Sequence, residues 1–303
     1  MRHFLTSYSI DLRAKNLESG KAPQLSEVIN AYLTREEKTS QTLDKYLRIN
    51  TFEKPDKFSF CGLIKAGEFG FTAELTNTKT GKMKAEQTVD DANLIPFFFY
   101  IKVMSENNAI LILQKAGNHG IKGALEDGLK CFCEKTYCDY TLQFSILQQQ
   151  ALIDTFFNQG AAKFLTVTMA KCPSEIADDL DENDRQKLTR DFHAELRIRL
   201  TPVVRKWYDK LKKDIIKSKK NNNLVKLYGN TVSTIKANVE YNGRTKVFCL
   251  NNMSDASIDM EFPSDMVGAD GHPQYDKIKK ESAELINLLH EARKGNVPNV
   301  QQI

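Results

Sequence analysis

Alternation of apolar and polar residues is the feature that most constrains how this chain can fold. It is clearest over Ala194–Leu200, where leucine or isoleucine occupies every second position and glutamate or arginine lies between them. A period of two residues is the pattern of a half-buried β-strand. Strand-like segments bounded by turn residues recur along the chain, at 4–12, 58–64, 70–75, 94–103, 109–114, 140–147, 162–169, 231–241, 245–250 and 257–262.

Helical spacing of apolar residues predicts a smaller number of helices among these strands, at 23–37, 121–134, 149–158, 203–220 and 275–294. The helices do not alternate with strands in the regular βαβ rhythm of a doubly wound sheet. We therefore expect an α+β fold. It would have a mixed, mostly antiparallel sheet in an N-terminal domain, residues 1–192, and a basic strand–helix–hairpin in a C-terminal domain, residues 193–303.

Charge is distributed unevenly between two neighbouring segments. Residues 197–226 contain eleven basic and two acidic residues, a net charge of +9, whereas residues 175–195 carry a net charge of −5. The whole chain of 303 residues carries only +4. Such an asymmetry indicates an anionic partner.

The basic segment combines a strand with the predicted helix 203–220. Thr201 suits the N-cap position and Pro202 the first helical position. Lysines and arginines on one helix face neutralise phosphates and release counterions, which gives affinity with little sequence preference. We therefore predict that double-stranded DNA is bound by Arg197, Arg199, Arg205, Lys206, Lys210, Lys212, Lys213, Lys217, Lys219 and Lys220, joined by Arg244 and Lys246 if the hairpin packs alongside.

A glycine-containing segment, 115–122, lies between a predicted strand and a predicted helix. Backbone N–H groups at a helix N-terminus favour an anion, so Lys115, His119 and Lys122 are candidate phosphate contacts. The alternative is an ordinary tight turn between strand and helix. The segment lacks the Gly-Lys-Ser/Thr of a Walker A loop.

Metal, cofactor and membrane signals are weak. The spacing of Cys131, Cys133 and Cys138 does not match a zinc knuckle, so we expect no metal, no cofactor and the reduced thiols of a cytoplasmic protein. The longest apolar run, Ile95–Ile101, is far shorter than the ~20 residues of a membrane-spanning helix. The first residues do not read as a secretory signal peptide.

Catalysis stays open as an alternative, although a protein that is not an enzyme is favoured. Neither a Gly-x-Ser-x-Gly elbow nor a His-Glu-x-x-His motif is present. One rival hypothesis is a metal-dependent nuclease that uses dispersed acids such as Asp255, Asp259 and Glu261. Another is a protein-docking adaptor whose basic face binds an acidic partner.

The order of these segments resembles that of the RexA-type phage-exclusion proteins and, more loosely, the KwaB-type bacterial defence proteins. The likeness follows Ile95–Ile101 with its hairpin strand, then Phe164–Thr168, then Ala194–Leu200 with the basic segment, a hairpin and a terminal helix. The resemblance implies a cytoplasmic, DNA-binding sensor of phage infection. It also implies a homodimer that works with a membrane-protein partner from a defence operon. It transfers no individual residue, so the site residues depend on the charge pattern alone.

Overall fold

The computed structural model describes residues 2–15, 23–35, 39–41, 45–147, 162–169, 194–199, 201, 226–227, 230–241, 244–251 and 258–293. The protein has an α+β fold, as the sequence predicts, and its strands pair antiparallel. The chain divides into two compact units. Unit 1 comprises Met1–Ser145 and Ser264–Ile286, and unit 2 comprises Ile146–Pro263 and Asn287–Ile303.

Unit 1 is built on a sheet with the strand order β1-β8-β7-β4-β3-β2; β10 also pairs with β1, and β9 with β8. A separate hairpin is formed by β5 and β6. The elements of its first segment are β1 (His3–Ala14), α1 (Leu25–Thr34), β2 (Thr39–Gln41), β3 (Lys45–Asp56), β4 (Ser59–Glu68), β5 (Ala73–Thr76), β6 (Met83–Gln87), β7 (Ile95–Ser105), β8 (Asn108–Ala116), β9 (His119–Gly120), α2 (Lys122–Thr136) and β10 (Tyr140–Ile146).

The core of unit 1 is centred on β7 and β8. Five consecutive residues of β7, Phe97–Ile101, are buried, so both faces of this strand are covered. On one face Phe98 meets the ring of Tyr275 edge-on, with 5.6 Å between centroids. Helices α1 and α2 pack against each other, where Tyr32 meets Phe132 at 5.6 Å, and they also contact β7 and β3 respectively.

The sheet of unit 2 has the strand order β12-β11-β14-β15-β16, with β13 paired to β14. Its strands are β11 (Ala162–Met169), β12 (Ala194–Arg199), β13 (Lys226–Leu227), β14 (Asn230–Tyr241), β15 (Arg244–Asn251) and β16 (Ile258–Phe262). A 3-10 turn (Ser264–Met266) begins the second segment of unit 1, and helix α3 (Tyr275–Arg293) follows.

Most strands predicted from alternation are confirmed, including the pair β14 and β15 that flanks Asn242-Gly243. The predicted helices 149–158 and 203–220 lie outside the described residues. The division into units differs from the domain boundary predicted at 192/193, because β11 lies before that boundary and pairs with β12 and β14 beyond it. Among the described helices, none combines the length and apolarity that a bilayer crossing requires.

Candidate nucleic-acid interface

The unit 2 sheet has one apolar and one polar face. On the apolar face, Leu165 and Val167 of β11 are fully buried, as are Ile235 and Val239 of β14. The polar face follows from the register: Arg197 of β12 lies opposite Thr166, which lies opposite Lys236 of β14. Side chains alternate along a strand, so the same face carries Phe164, Thr166, Glu195, Arg197, Arg199 and Lys236. We call this side of the sheet the Arg197 face.

Arg197 is held on this face by an aromatic ring. Its guanidinium carbon lies 4.2 Å from the centroid of the Phe164 ring on the neighbouring strand. A cation–π contact of this kind contributes about 0.5–1 kcal/mol at an exposed site. It leaves the planar guanidinium exposed while restricting its rotamers, which lowers the entropy cost of binding an anion.

The basic residues of the sheet differ in whether a carboxylate neutralises them. Lys236 lies 3.7 Å from Glu261 of β16, and Lys163 lies 2.7 Å from Glu240 of β14. Arg197 and Arg199 are both exposed, and neither makes an ion pair with a described residue. β12 is the outermost strand in the described order of this sheet. Two arginines that make no ion pair with a described residue therefore lie two positions apart at its margin, and the exposed Glu195 precedes them on the same face.

The other predicted DNA contacts divide into two groups. Arg244 and Lys246 lie on β15, where the register places Lys246 opposite Val239. That position is out of phase with the row through Arg197, Thr166 and Lys236, because successive residues of a strand alternate between faces. The remaining residues lie outside the described part of the chain: Arg205, Lys206, Lys210, Lys212, Lys213, Lys217, Lys219 and Lys220.

The candidate phosphate turn, 115–122, is a tight hairpin followed by the first turn of α2. Lys115 pairs with Gly120 and Ala116 with His119, so Gly117 and Asn118 form a two-residue loop, and Gly117 has φ +58°. Such loops require positive φ, which glycine adopts without strain.

The three candidate phosphate contacts of this turn have different environments. Lys122 forms an ion pair with Glu126, which also accepts a hydrogen bond from Lys130 at 2.7 Å. Burial alone would raise the pKa of Glu126, but the two lysines outweigh it, so the pKa of Glu126 is lowered. Lys122 is thereby neutralised, whereas His119 is exposed and lines a cavity of about 290 Å³. Lys115 is half-buried on β8.

The acids named in the nuclease hypothesis are not arranged as a metal site in the described residues. Asp259 is buried, Glu261 is paired with Lys236, and Asp255 lies outside the described part. No group of three or more histidine, cysteine or acidic side chains could hold an ion in the described part of the chain.

Unit 1 contains a polar cluster that the sequence did not reveal. Tyr275 Oη donates a hydrogen bond to Glu53 Oε1 at 2.7 Å, and Lys279 Nζ donates to the same oxygen at 2.8 Å. Lys279 and Tyr275 lower the pKa of Glu53. The four-residue spacing of Tyr275 and Lys279 on one helix face is the signal that could have identified the pair. Their partner on β3 could not be identified from the sequence.

The cluster is structural rather than nucleophilic. Cys61 Sγ lies 3.6 Å from Glu53 Oε1, and burial together with the carboxylate raises the pKa of this thiol to about 12. A thiol with such a pKa stays protonated at neutral pH and is a poor nucleophile. The hydrogen bonds to Glu53 instead attach α3 to β3.

In unit 1, a row of hydrogen-bonded buried side chains also borders a cavity of about 500 Å³ between β7, β8 and the loop before α3. The backbone N–H of Phe98 donates to Gln114 Oε1 at 2.9 Å, and Gln114 Nε2 lies 3.1 Å from His3 Nδ1. His3 Nε2 lies 2.8 Å from the carbonyl oxygen of Gly271. A carbonyl only accepts, so His3 carries its proton on Nε2, and Nδ1 accepts from Gln114.

Comparison with known proteins does not assign a family. No protein-family model matches the chain, and no curated protein matches it. Function is therefore inferred from the chemistry of the surfaces of the two units.

Proposed function

We propose that this protein binds double-stranded DNA without sequence preference through the Arg197 face and the basic segment that continues from it, residues 201–226. The observation that carries the proposal is the pair Arg197 and Arg199, which are exposed and make no ion pair with a described residue. The segment that follows β12 adds nine basic residues and two acidic ones. Together they provide a continuous stretch of chain suited to a phosphate backbone.

The chemistry of these residues favours phosphates over bases. Lysine predominates in the segment 201–226, and lysine contacts phosphate as a point charge, whereas base reading uses bidentate arginine, asparagine or glutamine. Contacts to phosphate position a protein on the duplex and carry no sequence information. Within this proposal, the resemblance to RexA-type proteins supports a cytoplasmic homodimer that senses phage DNA together with a membrane-protein partner.

The test is a titration of labelled duplex DNA with the full chain at several salt concentrations. The variant Arg197→Gln/Arg199→Gln removes these two charges. The control, called the lysine variant below, is Lys163→Gln/Glu240→Gln, which removes an ion pair of the same sheet without changing the net charge. We expect the arginine variant to lower the slope of log K against log salt by about 2, and the lysine variant to leave it nearly unchanged.

A second variant, Lys210→Glu/Lys213→Glu/Lys217→Glu, tests the segment that follows. It should abolish binding at moderate salt because each reversal replaces an attraction to phosphate by a repulsion. Equal slopes for the arginine and lysine variants would contradict the role of the Arg197 face. Cleavage in a parallel sample with magnesium would indicate the nuclease. Absence of DNA binding even at low salt would leave the protein-docking adaptor as the better hypothesis.

A further inference from the structure

The hairpin β5–β6 concentrates exposed apolar side chains. In the described part of the chain five large apolar side chains are exposed, and four of them belong to this hairpin and its flanks: Phe71 (46% exposed), Leu75 (59%), Met83 (59%) and Val89 (51%). The two strands pair only with each other. Exposed apolar groups clustered in this way mark an interaction surface.

Two of these side chains, Leu75 and Met83, lie at the end of the hairpin that adjoins its turn. Leu75 lies opposite Ala85 and Thr76 lies opposite Met83, with a β-bulge between the two pairs. Glu74 and Glu86 lie opposite each other towards the base of the hairpin. Exposed apolar side chains are therefore close to the tip, and the acidic side chains are further from it.

The tip is also basic. From Leu75 to Ala85 the chain contains three lysines and no acid. The three lysines are exposed, and none makes an ion pair with a described residue: Lys79, Lys82 and Lys84. The turn that carries them is ordered by Asn77 Oδ1, which accepts hydrogen bonds from the backbone N–H groups of Lys79 and Thr80 at 2.9 and 3.1 Å. Gly81 completes the turn with φ +66°.

We propose that the tip of this hairpin binds the surface of an anionic lipid bilayer, with Leu75 and Met83 below the headgroups and the three lysines on the lipid phosphates. Strands of four to five residues give a hairpin about 15 Å long, at about 3.3 Å per residue, and interfacial segments enter a bilayer by about 5–10 Å. Lysine stems extend along apolar surface while their ammonium groups stay in the polar layer. Duplex DNA would pair with the lysines but would leave Leu75 and Met83 in water. This inference is independent of the proposed DNA binding.

The test is co-sedimentation of the full chain with phosphatidylcholine vesicles that either contain or lack phosphatidylserine. Each lysine close to an anionic bilayer contributes roughly fivefold to binding, so Lys79→Glu/Lys82→Glu/Lys84→Glu should weaken binding by at least about 100-fold. Leu75→Ser/Met83→Ser should weaken it by roughly 10-fold or more for each side chain. All five substitutions are at exposed positions, and circular dichroism checks that the variants are folded.

Two control variants separate this hairpin from other surfaces. Phe58→Ser removes the fifth exposed apolar side chain, outside the hairpin, and Arg197→Glu/Arg199→Glu changes the Arg197 face. We expect both to keep binding to vesicles that contain phosphatidylserine.

Two outcomes would overturn the proposal. In the first, the wild type does not bind anionic vesicles; in the second, binding is lost only in Arg197→Glu/Arg199→Glu. Self-association or DNA binding that depends on the hairpin, without any vesicle binding, would instead assign the surface to a second copy of the chain or to nucleic acid.

Discussion

Removing the hydroxyl group of Tyr275 tests how strongly α3 is attached to the sheet of unit 1. Tyr275→Phe keeps the ring, and so keeps its edge-on contact with Phe98 at 5.6 Å, but deletes the donor to Glu53. A hydrogen bond to a charged group contributes about 1.5–3 kcal/mol. Glu53 is 42% exposed and keeps Lys279, so water and the lysine compensate in part. We therefore expect a loss of about 1 kcal/mol in the free energy of unfolding at neutral pH.

The pH dependence of this loss makes the test specific. Because Lys279 and Tyr275 lower the pKa of Glu53, the stabilisation is complete above the unfolded value of about 4.3 and declines as the pH falls through the folded value. Tyr275→Phe should therefore cost less at acid pH than at pH 7. The assay is urea denaturation followed by circular dichroism at both pH values, with Glu53→Gln and the double variant completing a cycle.

The matched control is Tyr32→Phe, which removes another tyrosine hydroxyl. Tyr32 Oη is buried and makes no hydrogen bond of good geometry with a described residue. The Arg35 guanidinium carbon lies 3.7 Å from the centroid of the Tyr32 ring, a contact that phenylalanine keeps, so this change should cost less than Tyr275→Phe. A loss in Tyr275→Phe that equals the effect of Tyr32→Phe, or that is the same at both pH values, would refute the argument that the bond to Glu53 stabilises the attachment.

Two further predictions concern stability. Gly62→Ala should destabilise unit 1 by about 1–3 kcal/mol, since a Cβ at this position would lie 2.0 Å from the backbone oxygen of Thr51. Gly123 has open space around it, so Gly123→Ala should raise stability by about 0.4 kcal/mol. Denaturation midpoints of the two variants are compared, and equal midpoints would contradict the close approach of Gly62 to Thr51. Burial, assisted by His272, lowers the pKa of His3 below its usual 6.5, so His3 binds fewer protons than in the unfolded chain and thermal stability should fall as the pH drops below 6.5. His3→Gln should flatten that fall, and a melting profile as steep as that of the wild type would show that other groups cause it.

The two proposed surfaces differ in what they require from their partners. The Arg197 face presents planar cations on a strand of a sheet, one of them packed against an aromatic ring, which suits the phosphates of a duplex. The hairpin β5–β6 presents apolar side chains among lysines, which suits an interface with both charge and an apolar interior. The variants proposed for each surface leave the other intact, so the two proposals can fail separately.

Much of the fold could be predicted from the sequence because its signals are local. Alternation over Ala194–Leu200 predicted β12, and Asn242-Gly243 predicted the β14–β15 hairpin, since both depend on neighbouring residues alone. The same local signals placed Arg197 and Arg199 on one side of a strand. The domain boundary could not be found in this way, because the pairing of β11 with β14 joins residues about seventy positions apart.

What the sequence alone determined was therefore the class of the fold, the sites of most strands and the location of the excess positive charge. Only the tertiary structure decided which charges are compensated and which residues share a face. No local pattern connects Lys236 or Lys163 to a carboxylate, but strand pairing brings Glu261 and Glu240 to them. The register of β15 likewise decides that Lys246 lies opposite Val239 of β14, a pairing that the sequence does not reveal. The physical reason is that cross-strand register decides which charges form ion pairs and which residues share a face. Long-range strand pairing sets this register, and the local sequence pattern does not.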